Sequence, residues 1–210
     1  WKSIFYSAIG GYILLLAFLF AATKSDMINS TDPEVNPFGI GSVIALLYSS
    51  LGGGALFDLG IYPVSFASMV LGTPSKIPAR STKAFTGVDG QTSIILEYAN
   101  GAQALLNTTN LAATPNRALI VGTQARIEID RTFYAPSTFK VINNRDEIIG
   151  GLSKKYQGHG LREQAVEFAR CFHAGLKESP ILPLDETLSI MRTMTEIASQ
   201  IGLTYPKFAE

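Results

Sequence analysis

Between residues 55 and 71 apolar side chains recur at helical intervals: Leu56, Leu59, Tyr62, Phe66, Met69 and Val70, with Gly72-Thr73-Pro74 stopping the run. This spacing predicts a helix over 55–71. Pro63 falls inside it and removes a backbone donor, so a kink is expected there, or a short first turn carrying Asp58 and Tyr62 ahead of the main helix. From 75 to 149 the period shortens, and alternating runs at 76–82, 92–98, 103–110, 117–122, 125–130 and 139–142 predict strands. Asn100-Gly101 and Gly122-Thr123-Gln124 turn successive strands into hairpins. Consecutive hairpins imply a mainly antiparallel sheet, one face covered and the other partly open. The helical period then returns twice. A first stripe over 161–177 carries Leu161, Ala165, Phe168, Phe172 and Leu176 and ends near Gly175. A second begins near Asp185, expected to cap the free amides, and runs through Leu188, Met191, Met194, Ile197 and Ile201 to Gly202. Both stripes are expected to lie against the sheet, which gives an α+β class.

The first 50 residues do not share this order. Residues 4–22, IFYSAIGGYILLLAFLFAA, contain no charge and are about long enough to cross a bilayer, yet Gly10-Gly11 interrupts them. Three readings stand: an export signal or membrane anchor, a buried strand or helix, or a segment made aberrant by truncation or a frame error. A second apolar run covers 43–48, and the polar stretch 25–37 between the two reads as an exposed loop. The chain therefore divides into a divergent apolar segment, 1–50, and a folded domain, 51–210.

Charge changes the picture only by exclusion. Seventeen Lys and Arg balance seventeen Asp and Glu, so no basic field is offered to nucleic acid. Cys171 is the only cysteine and cannot form an internal disulfide; its place in an apolar helical pattern predicts a buried, inert thiol. Neither His159 nor His173 has partners at a familiar ligand spacing, so no metal site is expected.

The candidate chemistry lies just after Gly52-Gly53-Gly54. Asp58 and Tyr62 are four residues apart, and on a helix that stacks them on one face. The bland reading is a carboxylate favoured by the helix dipole and an amphipathic tyrosine at a domain edge. The chemical reading is a phenol that carries a proton during oxidation of an alcohol or reduction of a carbonyl. A phenol ionises only near pH ~10 and an adjacent carboxylate opposes that, so such chemistry requires a cation close by. The glycines lack the lysine-serine pair of a phosphate loop, and no Gly-x-Gly-x-x-Gly occurs; their expected use is close backbone approach. Asp89 reads as a turn residue, Lys154-Lys155-Tyr156 as a solvated run, and His159, between glycines, as either a solvated cap or a substrate contact.

From Leu51 onward these words occur in order: GGGALFDLGIYPVSFASMVLG, Gly87-Val88-Asp89, Tyr98-Ala99-Asn100-Gly101-Ala102, Gly158-His159-Gly160-Leu161, Glu178-Ser179-Pro180 and Pro183-Leu184-Asp185-Glu186-Thr187. Together they resemble the C-terminal half of the Gfo/Idh/MocA oxidoreductases, and within that family the branch of dimeric dihydrodiol dehydrogenases. The resemblance implies an open, mainly antiparallel sheet backed by helices. The family's Asp-x-Gly-x-His/Tyr motif falls on Asp58, Gly60 and Tyr62. It implies that Tyr62 handles the substrate hydroxyl proton, that Asp58 orients the substrate or relays the proton, and that hydride goes to NAD(P). His159 would be a substrate contact. Trp1 would be another if it stands for the tryptophan of a Trp-Thr-Arg-Phe motif, which here reads Trp1-Lys2-Ser3-Ile4-Phe5. In the family, a lysine from a Glu-Lys-Pro motif in the nucleotide-binding half sits beside the tyrosine; this sequence contains no Glu-Lys-Pro.

The expectation is thus a substrate-binding and dimerisation half of a cytoplasmic dehydrogenase, without its nucleotide-binding domain and inactive alone. NAD(P) would be bound mainly by a domain not present in the chain, the substrate would be a sugar, cyclitol or trans-dihydrodiol, and a homodimer would form through the open sheet face. Two rivals differ in class: a non-catalytic dimerisation or ligand-binding module, and a protein exported or tethered to a membrane through residues 4–22.

Overall fold

The computed structural model describes residues 54–204, apart from 86, 136–137 and 154–160. The segment 1–50, with Trp1, and the stretch holding His159 and Lys154-Lys155-Tyr156 lie outside the described residues.

The first helix comes in two parts. A π turn, Leu56–Gly60, runs directly into α1, Ile61–Leu71. Pro63 is the third residue of α1, just past the π turn, where its missing amide falls at the passage from one helical register to the other. The first turn anticipated from Pro63 is present and carries Asp58, but the expectation that it also carries Tyr62 is corrected: Tyr62 lies in α1. At the far end Gly72, with φ 80°, donates its N–H to the Ser68 carbonyl and stops the helix.

The strands form two antiparallel sheets, not one. The first contains β1 (Ala79–Lys83), β2 (Asp89–Glu97) and β3 (Gln103–Thr109) in that order. Thr92, Ile94 and Leu96 point inward, whereas Gln91, Ser93 and Ile95 point outward, so the alternation read from 92–98 is the alternation of burial. The Asn100-Gly101 hairpin closes this pair, with Gly101 at φ 83°. The second sheet runs β4 (Ala118–Val121), β5 (Ala125–Ile129), β6 (Phe139–Asn143) and β7 (Ile148–Leu152). Strand β7 escaped the sequence pattern because Ile-Ile-Gly-Gly-Leu does not alternate. It is an exposed edge strand set by its pairing with β6, and a Cβ on Gly151 would stand 2.4 Å from the Phe139 carbonyl oxygen.

Helices α2 (Leu161–His173) and α3 (Leu184–Gln200) complete the domain. From α3, Ile190, Met194, Ile197 and Ala198 join Leu56, Val64, Ala67, Ala79, Ile94, Leu96 and Tyr98 in one core cluster. Burial of each large member contributes about 1.5–3 kcal/mol. The expected cap is corrected: Asp185 lies within the first turn of α3 and makes no cap bond, and Glu178 Oε2 instead accepts the Leu184 N–H at 2.7 Å. The expected packing of α2 is corrected too, since Val166, Phe168 and Phe172 are exposed among the described residues. Apolar periodicity specifies a face but not what covers it. Glu167 pairs within α2 with Arg170, at 2.7 Å, and ties the helix to the following segment by accepting from the Ser179 hydroxyl. Cys171 is buried, and burial followed by contact with Glu167 raises its pKa, which keeps it a thiol. Among the described residues no helix is long and apolar enough to cross a membrane.

Candidate functional site

The site is built on the start of the first helix. Gly54 and Ala55 offer no side-chain acceptor, so the amides opening the π turn need a cap from elsewhere. Asp89, the first residue of β2, supplies it. Its Oδ2 accepts the Leu56 N–H at 2.6 Å and the Thr92 hydroxyl at 3.3 Å. The Thr108 hydroxyl donates to the Ala55 carbonyl at 3.0 Å, which fastens the same turn to β3. Asp89 is therefore not a turn residue but a cap, 3% exposed. Among the described residues its other oxygen, Oδ1, has no hydrogen-bond partner. Burial pushes the carboxyl's pKa up, while the Leu56 amide and the Thr92 hydroxyl pull it back. Gly54 makes room for it: φ is 142°, and a Cβ there would lie 2.2 Å from Oδ1.

Leu56, Gly60, Val64 and Ala67 form the buried stripe of this helix. Asp58 and Tyr62 each stand two positions off that stripe and are exposed, Tyr62 at 41%. The Tyr62 ring stacks on Tyr134, with centroids 4.1 Å apart and planes 18° from parallel. Phe133 meets Phe66 edge to face at 5.6 Å and Tyr134 at 5.3 Å. Asn116, at φ 54°, accepts the Phe133 N–H with its carbonyl and directs its side-chain amide at the Tyr134 hydroxyl, 3.5 Å away. Sequence reasoning missed Phe133 and Tyr134, because a loop aromatic has no fixed spacing from the residue it will meet. Among the described residues neither Asp58 nor Tyr62 has a hydrogen bond or ion pair to a lysine or arginine. Among the described residues no group of three or more His, Cys, Asp or Glu is gathered to hold a metal.

A dinucleotide pyrophosphate would need free amides at a helix N-terminus. Here the amide of Leu56 is already taken by Asp89 and that of Leu184 by Glu178, so these two helix starts do not offer the group a full set of free amides.

The family model described as GFO/IDH/MocA C-terminal domain matches residues 44–128. The chain carries a GFO/IDH/MocA C-terminal domain. Its curated relatives include the trans-1,2-dihydrobenzene-1,2-diol dehydrogenase of Xenopus tropicalis, 35% identical over 170 residues, covering 74% of the chain and 49% of the relative. The enzyme of the same name from Homo sapiens is 30% identical over 161 residues, covering 74% and 48%. The chain thus spans about half the length of the curated relatives it matches. The fold is similar to that of the aldose-aldose oxidoreductase from Caulobacter crescentus complexed with glycerol, with a TM-score of 0.60, 20% identity, and 71% of this chain and 45% of that one covered. A 3-ketoreductase from Actinomadura kijaniata, in complex with TDP-benzene and NADP in the open conformation, gives a TM-score of 0.52 at 20% identity, covering 71% and 46%. At that identity these two structures establish the shared GFO/IDH/MocA fold alone.

Proposed function

We propose that this domain is the substrate-binding and dimerisation half of an NAD(P)-dependent dehydrogenase that oxidises a secondary alcohol of a sugar, cyclitol or trans-dihydrodiol. The observation that carries the reading is an exposed Tyr62 phenol and an exposed Asp58 carboxylate on a helix start fastened to the sheet by Asp89 and Thr108. Tyr62 receives the proton of the substrate hydroxyl through its oxygen, and Asp58 orients the alcohol or relays that proton onward. NAD(P), held by a separate nucleotide-binding domain, would supply the hydride acceptor for that oxidation. A cation from that domain offsets the repulsion between phenolate and carboxylate. His159 and Trp1 complete the proposed substrate contacts.

Dimerisation belongs to the same proposal. The outward face of the first sheet exposes Leu105 at 78% and Ile95 beside it, with Pro78, Arg80, Ser93 and Asn107 around them. A second copy laid on this face removes the apolar pair from water. A cytoplasmic location accompanies the reading, since a lone cysteine suits a reducing compartment; recovery in a membrane or secreted fraction counts against it.

Two measurements test the function. Titrating the 210-residue chain with NADH or NADPH is expected to show no specific binding, because the sequence has no Gly-x-Gly-x-x-Gly and the starts of the first helix and of α3 are already capped by Asp89 and Glu178. In an enzyme completed by a nucleotide-binding domain, Tyr62→Phe is expected to abolish most turnover with little loss of cofactor affinity. Tight cofactor binding by the chain alone, or an unchanged rate in Tyr62→Phe, overturns the proposal.

A further inference from the structure

We propose that Asp89 is the positioning residue of this site: its buried carboxylate, together with the Thr108 hydroxyl, sets the register of the π turn carrying Asp58 and so the placement of Tyr62. The inference rests on the reading of Tyr62 as the proton carrier.

A π turn holds more residues than an α turn, is rare, and occurs mostly as a single turn inside an α-helix, frequently at functional sites. Leu56-Phe57-Asp58-Leu59-Gly60 does not itself favour it, because Leu is a good α former and Gly a poor former of any helix; Pro63, by removing the amide that would bond the Leu59 carbonyl, permits a break there without setting its register. What imposes it is attachment at both ends. At the start, the Leu56 N–H is tied to Asp89 and the Ala55 carbonyl to Thr108. Both anchors sit on one patch of the sheet: Thr108 is the register partner of Thr92, whose hydroxyl donates to the same Asp89 oxygen. Gly60 lets the turn lie on that patch, since a Cβ there would meet Leu56 Cδ1 at 3.2 Å and Thr108 Cγ2 at 3.4 Å. At the other end, Val64 and Ala67 are held in the core and Ser68 donates to Glu186 of α3. Between these fixed ends the chain has more residues than an α turn can take up.

Released at Asp89, the turn slips to the α register. Each residue of slip rotates Leu56–Gly60 by about 100° against the sheet, which moves Asp58 and shifts the start of α1, where Tyr62 stands, away from Tyr134. A serine or threonine at position 54, two residues ahead of Leu56, would cap the amide locally without burying a carboxylate oxygen that lacks a partner among the described residues. The remote cap differs because it refers the turn to the sheet. Gly54 is shaped to admit it.

The test reads the Tyr62 ring directly. In the 210-residue chain, the NMR signals of Tyr62 carry a ring-current shift from the stacked Tyr134. Asp89→Ala is expected to remove or move that shift, and Asp89→Asn to restore it, because the amide oxygen still accepts the Leu56 N–H. Thr108→Val is expected to move it in the same direction, and it decides the matter should Asp89→Ala fail to fold. Signals unchanged in a folded Asp89→Ala, or in Thr108→Val where only that variant folds, overturn the inference even if the melting temperature falls. In the completed enzyme, Asp89→Ala is expected to lower kcat about 100-fold with cofactor KM unchanged, and Asp89→Asn to recover it. Normal kcat in Asp89→Ala beside an inactive Tyr62→Phe ends the positioning role but leaves the proposed function standing. Full turnover in Tyr62→Phe ends the function, and the ring signals then judge the geometry of the turn by itself.

Discussion

The phenol of Tyr62 lies flat against that of Tyr134, so the outward side of the first helix is roofed on one flank by the loop between β5 and β6. One face of the Tyr62 ring is thereby covered, and what reaches the hydroxyl comes from the free side. The stack also joins the helix of the first sheet to the second sheet, reinforced by Phe66 against Phe133.

A stacked aromatic pair is worth about 0.5–1.5 kcal/mol beyond the area it buries. Tyr134→Ala is therefore expected to cost about 1 kcal/mol or slightly more in urea unfolding, and Tyr134→Phe to cost little, because the ring and not the hydroxyl makes the contact. Equal losses in the two variants would assign the effect to the Asn116 interaction instead.

Gly54 and Gly101 both have positive φ but differ in their surroundings. A Cβ on Gly101 meets nothing within 4 Å, so Gly101→Ala is expected to cost only the backbone strain, about 1–3 kcal/mol. Gly54→Ala adds a collision with Asp89 Oδ1 and disturbs the Leu56 cap, for a further loss of about 1–3 kcal/mol. Denaturant melts of the two variants compare them directly.

Asp89 and Glu167 give stability opposite dependences on pH. Burial raises the Asp89 pKa above its ordinary 3.8, so the share of stability it governs is full below the unfolded value and lost as pH rises through the folded one. Glu167 is held down to about 2, first by Arg170 and then by Ser179, so its share is full above 4.5 and lost as pH falls through about 2. Thermal melts across this range are expected to show Asp89→Asn gaining on the parent chain as pH rises from 3 to 7. Glu167→Gln is expected to show its deficit at neutral pH and none near pH 2, and the deficit is small because the pair lies near the surface.

The open face of the first sheet makes the association prediction. Leu105→Glu puts a charge where the proposed second copy seats an apolar side chain, and it is expected to turn a sedimenting dimer into a monomer without lowering the melting temperature of the fold. A parent chain that sediments as a monomer at all concentrations removes the dimer from the reading.

The helix over 55–71, the Asn100-Gly101 hairpin and the later half of the α3 stripe, Met194 and Ile197, were legible because each depends on neighbours within a few residues: a 3.6 period, an alternation, a turn pair; Leu188 and Met191, expected on the same stripe, are exposed. The separate first turn was legible for the same reason, through Pro63. Strand β7 was not, because its pairing with β6 and not its own pattern makes it a strand. The stripe of α2 was visible as a stripe, but its exposure was not, since periodicity carries no information about the facing surface. Asp58 and Tyr62 stood out by spacing and by resemblance, whereas Asp89 looked like a turn residue beside Gly87.

The chain's own order of residues determined the α+β class, the hairpins and the four-residue interval between Asp58 and Tyr62, all of them consequences of local backbone geometry. Only tertiary packing decided that Asp89 caps Leu56, that Thr108 holds Ala55 and that Tyr134 roofs Tyr62. Each of these joins residues remote in sequence, and such a pair meets only once the burial of Ile94, Leu96, Met194 and Ile197 has brought sheet and helices together.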